Sequence, residues 1–184
     1  MRKLAFLVMA AGIAGAAHSQ VVFSNMNGSY SAFSPSAGLI GYDDYSSTAG
    51  GSSFVLGSLR FVGGVSTAGS TLGFFFFNAG DTGLTNVVQS FGTTLNTGGD
   101  FIWTISNINL VVPTNGIMAI ATQNGALGRW FLNQNNPTVG TDDPNFGYVQ
   151  GFHEAFELTA VPEPASMLAL GAGIAALVAK RRKK

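Results

Sequence analysis

The 184-residue chain contains no cysteine, and the long region between its two ends contains no lysine. The first absence excludes disulfide staples, a cysteine nucleophile and thiolate zinc sites; the second excludes a Schiff-base lysine in that region. Positive charge is displaced to the ends, with Arg2 and Lys3 at the start and Lys180, Arg181, Arg182, Lys183 and Lys184 at the finish. From Gln20 to Val161 only Arg60 and Arg129 stand against Asp43, Asp44, Asp81, Asp100, Asp142, Asp143, Glu154 and Glu157, a net charge of −6. The zero net charge of the whole chain conceals this. A lysine-free acidic surface does not gather phosphates by counter-ion release and is repelled by anionic lipid, which argues against nucleic acid and other polyanions as partners.

Histidine is almost as scarce: His18 lies near the start, so His153 is the one histidine of the central region. No G-x-S-x-G elbow accompanies it, and no serine is paired with it by spacing. His153 reads as an exposed strand residue. Glu154 and Glu157 are three apart, so on one strand they point to opposite faces and cannot flank a glycosidic bond. Glu154 shares parity with Phe152, Phe156 and Leu158, which puts it at a wet sheet end or beside Arg60 or Arg129. The expectation is a non-enzymatic domain without catalytic residues, cofactor or metal.

The central region instead holds short β-branched and aromatic runs punctuated by Gly, Asn, Ser and Thr. That pattern predicts many strands joined by tight turns, and no helical period competes with it. The clearest runs are 54–62, 71–77, 87–95, 101–112, 117–122, 129–132 and 152–159, with weaker ones at 21–24, 29–33 and 39–42. These predict an all-β domain over residues 20–160, a two-sheet antiparallel sandwich with jelly-roll-like character. Roughly 140 residues suffice to bury about two-thirds of the unfolded-chain surface without cross-links.

Strand parity then selects a core of Phe54, Phe61, Phe74, Phe76, Trp103, Ile105, Leu110 and Phe156. Apolar parity switches at Asn107 within one run and at Gly57-Ser58 within another, which predicts bulges or bends there. The unbroken Phe74-Phe75-Phe76-Phe77 predicts a central strand buried on both faces. Asp142-Asp143-Pro144-Asn145 reads first as a turn; its oxygen density, or that of Asp43-Asp44, would also suit a hard cation such as calcium. Asn27-Gly28-Ser29 reads as a turn that also matches a glycosylation acceptor. Trp130, Tyr42, Tyr45 and Tyr148 would suit sugar stacking if exposed; Trp130 beside Phe131 and Leu132 reads as core.

The ends carry a different message. Met1-Arg2-Lys3, an apolar stretch from Leu4 to Ala16, and small residues at Ala17 and Ser19 form a secretory signal peptide over residues 1–19, with Gln20 as the first mature residue. At the other end Val161-Pro162-Glu163-Pro164-Ala165-Ser166 leads into an uncharged stretch to Ala179, followed by the five cations as a stop-transfer signal. The 15 residues from Ala165 to Ala179 would span roughly 22 Å as a helix, a short transmembrane anchor for a precursor.

In order and spacing residues 161–184 resemble the PEP-CTERM sorting signal, with Pro162, Glu163 and Pro164 on the motif. The resemblance implies an exosortase as processing partner, an inner-membrane precursor, and delivery to the cell surface or extracellular matrix of a Gram-negative bacterium. It also implies association with envelope, exopolysaccharide or biofilm, and it fits a β-sandwich ectodomain ending just before the motif. A carbohydrate-binding module or polysaccharide-acting enzyme on the same sandwich is the alternative.

Overall fold

The computed structural model describes residues 19–142 and 153–161, and all regular structure among them is β. The expected signal peptide through His18, including Ala17, lies outside the described residues. So do Asp143, Tyr148 and everything from Pro162 onward: Pro162-Glu163-Pro164, the expected anchor and the basic tail. The strands are β1 (Gln20–Ser24), β2 (Tyr30–Ala32), β3 (Leu39–Ser46), β4 (Ser53–Val65), β5 (Ser70–Asn78), β6 (Val87–Leu95), β7 (Gly99–Pro113), β8 (Asn115–Thr122), β9 (Gly128–Asn133), β10 (His153–Glu154) and β11 (Phe156–Ala160).

They form two antiparallel sheets. One has the order β3-β8-β5-β6. The other is built on the long β4, which bonds β7 along one edge; its other edge is taken first by β11 and then, at Gly63–Val65, by β9. β1 lies outside β11, and β2 and β10 bond β9. Three backbones crowd at the end of β4, where a Cβ on Gly64 would overlap the carbonyl of Gly99. Glycine is required there by space, not by backbone angle.

The inner faces meet in one core. Phe54, Phe61, Phe74, Phe76 and Phe156 are buried in it, and Phe61 from one sheet meets Phe74 from the other with ring centroids 5.4 Å apart. Trp103, Ile105 and Leu110 are only half-buried, which corrects their assignment to the centre. The reason is topological: β7 is an edge strand bonded to β4 alone, so its inward side chains pack at the rim and Phe101 remains 48% exposed.

Both parity switches coincide in one bulge. Leu56 faces Leu110 and Ser58 faces Ser106, so Gly57 opposes Asn107 to Asn109, and Asn107 and Asn109 take positive φ of 60° and 58°. Asparagine tolerates that region better than a branched residue does. The four-phenylalanine strand is β5, flanked by β8 and β6. Phe74 and Phe76 enter the main core. On the opposite face Phe77 is buried with Ile117 and Ala119, and Leu84 and Tyr42 pack against that group. Leu84 reaches it from a turn tied by Asp81, whose carboxylate accepts the amides of Thr85 and Asn86 at 3.2 and 2.7 Å.

Candidate functional site

The least expected grouping joins the edge strand β3 of one sheet to the short β10 of the other. β3 runs on past the expected end at Tyr42 through Asp43-Asp44, which are strand residues paired with Met118 and Ile117. Odd positions Gly41, Asp43 and Tyr45 share a face, and Tyr45 is buried in the core. Asp43 is therefore carried inward with it and is fully buried. Its two carboxylate oxygens accept the amides of Asp44 at 3.0 Å and Glu154 at 2.7 Å.

Glu154 is 4% exposed, with its carboxyl group lying over Gly41 against the ring of Trp130. No arginine reaches it, which corrects both expectations for this residue. Arg60 pairs with Glu157 at 3.0 Å, and Arg129 forks onto Asp100, with Nε 2.9 Å from each carboxylate oxygen. The single histidine of the domain is also not solvated: His153 Nε2 lies 3.4 Å from Asp142 Oδ2, and both side chains are mostly buried. Three polar atoms of this grouping have no hydrogen-bond partner: Asp142 Oδ1, His153 Nδ1 and Glu154 Oε2.

Burial dominates the electrostatics. It pushes the Glu154 carboxyl up to about 8. It also raises Asp43 well above the usual carboxylate range, reinforced by the charges of Asp44, Glu154 and Asp142 and opposed by the Glu154 amide. Asp142 is raised by burial as well, against the pull of His153. Desolvation disfavours the ionised form, so an acid with no cation beside it retains its proton.

A second splint fixes the chain beside Glu154. Ala155 interrupts the predicted strand: its amide donates to Phe131 O at 2.7 Å, and its carbonyl accepts from Val62 N and Trp130 Nε1. There the chain leaves β9 for β4. Buried Asn25 bridges the step, its Nδ2 donating to Glu154 O and its Oδ1 accepting Phe156 N–H, both at 2.8 Å. Asn27 of the glycosylation-like triplet bonds Asn136 O and Asn133 Nδ2, so its amide is engaged in holding two loops together.

Beside the acids an open cleft of about 270 Å³ is lined by Asp44, Ser46, Asn115, Thr141 and Asp142. Its aromatic residue, Tyr45, turns its ring into the core and its hydroxyl to Pro113 O. Glu154 and Glu157 diverge, Glu157 joining Arg60 and Ser24 on the outer face. Among the described residues no three acid or histidine side chains converge to hold a metal ion, and no hydroxyl bonds His153 Nδ1 to complete a nucleophile-base pair.

What the sequence missed here is the convergence of Asp43 with Glu154, separated by 111 positions. The available signals were the core parity of Glu154 and the lack of any spare cation to neutralise it. Of the residues expected to take part in processing, Ser19 is described and exposed, whereas the others lie outside the described residues. β11 ends at Ala160, and the next residue, Val161, is 40% exposed, so the sequence leading to Pro162 leaves the domain at its surface.

No curated protein matches the chain. A family model, the PEP-CTERM protein-sorting motif, matches residues 160–183 and begins on the last residue of β11. The chain is a PEP-CTERM domain-containing protein.

Proposed function

We propose that this is an exported, exosortase-sorted protein of the cell surface or extracellular matrix whose β domain is non-enzymatic and serves in the envelope, exopolysaccharide or biofilm. The observation that carries the reading is the sorting motif at residues 160–183, starting where the last strand ends. Before processing, the β domain lies outside the inner membrane and Lys180 to Lys184 lie inside, because clustered cations resist translocation. Glu163 is the only charge between Leu158 and Lys180, and it stands between two prolines in the sequence. The test is Glu163→Gln in an exosortase-positive host: the precursor should accumulate in the membrane with its domain folded. Normal release of the variant would refute the role given to Glu163.

A second reading, binding or processing of polysaccharide, is favoured by one observation: Asp44 and Asp142 line the same open cleft. The inward turn of Tyr45 deprives that cleft of a stacking surface, which weighs toward the first reading. A glycan array probed with and without calcium separates the two. Saturable retention that Asp142→Asn abolishes would establish the second.

A further inference from the structure

The central region holds two cations, and both are committed away from the buried acids: Arg60 to Glu157 and Arg129 to Asp100. The groups facing Asp43 and Glu154 are Asp44 on β3, His153 on β10 and Asp142 on the segment after β9; from β9 the neighbour is the uncharged Trp130. His153 is turned to Asp142. Inside the seam, then, Asp43 accepts the Glu154 amide, and Glu154 Oε2 is buried without a partner. A buried carboxylate with no counter-ion is far more costly than a neutral carboxylic acid. The cheapest available compensation is a proton.

We propose that Asp43 and Glu154 form a proton-held latch between β3 and β10, closed while Glu154 is a neutral acid and loosened when alkali removes that proton. One side of the latch, Glu154, lies on β10, within the final two strands before the sorting motif, so the latch clamps the last part of the domain to be synthesised onto the early strand β3. The sign follows from the position of the group. Once opened to water Glu154 returns to an ordinary carboxyl, near 4.5, whereas closed it retains its proton up to about 8. The open form therefore gains on the closed form as pH rises through that window and gains no further above it.

The test is amide hydrogen exchange on the full-length chain in detergent, corrected for intrinsic base catalysis, between about pH 6 and about pH 9. Protection of the Asp44 and Glu154 amides, both donors to Asp43, should fall by at least about tenfold, since each pH unit within the window shifts the equilibrium up to tenfold. The amides of Phe61 and Phe74 in the core should stay better protected than the two seam amides at every pH. Glu154→Gln, isosteric with the neutral acid, should hold the seam closed across the range. If that variant does not fold, Asp43→Asn and the wild-type profile carry the same test. Unchanged protection of the wild type, or a pH-dependent loss that persists in Glu154→Gln, would overturn the latch. Restoration of wild-type protection at about pH 9 by calcium, absent in Glu154→Gln, would also overturn it by showing a cation site in place of a proton.

Discussion

Replacing Asn25 by alanine perturbs the place where the chain steps from one strand partner to another. Asn25 is fully buried, and its side-chain amide is the sole hydrogen-bonding link between Glu154 O and Phe156 N–H across the break at Ala155. Alanine leaves one buried carbonyl and one buried amide unsatisfied. Each orphaned group costs about 1–3 kcal/mol, so the loss should be about 2–6 kcal/mol, a large share of a typical 5–15. The link from Asn133 to Asn25 goes to the backbone carbonyl and survives the change. The assay is urea unfolding, read as a lowered midpoint at constant slope. Asn27→Ala is the control, because one of its bonds is solvent-exposed and the other only partly buried; it should lose less than about 1.5 kcal/mol. An Asn25→Ala midpoint within about 0.5 kcal/mol of wild type would refute the role assigned to this splint.

Phe74→Ala should cost about 3–5 kcal/mol by thermal or chemical unfolding, since the ring is fully buried and contacts Phe61 and Phe91. Gly64→Ala should be worse than its size suggests, because the new methyl overlaps the Gly99 carbonyl and forces β4 from β7; a melt unchanged from wild type would contradict that packing. Arg60→Ala should change stability by about 1 kcal/mol at most, because the Arg60 side chain is itself 40% exposed and Ser24 still donates to Glu157. The global midpoint should decline as pH rises from about 5 to about 8: Glu154 retains its proton folded and loses it unfolded, so up to roughly 5 kcal/mol is lost across the interval between 4.5 and about 8. A midpoint rising through that interval would reverse the sign of the argument.

Much of the β architecture was legible because alternation and turn residues are local signals. The run 87–95 coincides with β6, and the parity switches at Asn107 and Gly57-Ser58 meet as the two sides of one bulge. Legibility failed where tertiary context overrides composition. The run 39–42 is expected to end before Asp43 and Asp44, yet β3 continues through them because Tyr45 beyond them anchors in the core. The rim position of Trp103 and Ile105 depends on β7 being an edge strand, which parity cannot reveal. Ala155 breaks a continuous apolar pattern because its neighbours pair with different strands, β9 before it and β4 after. The buried acid seam was the least legible feature, since it needs strands far apart in sequence to meet; only the odd parity of Glu154 hinted at it.

The central claim is that residues 160–183 sort this protein, and the most direct measurement is intact mass with terminal peptide mapping of the exported species from an exosortase-positive host. The account predicts a chain that begins at Gln20 and lacks Lys180 to Lys184, with the longer precursor accumulating when the exosortase is deleted. An exported species that retains Lys180 to Lys184 in both hosts would contradict it.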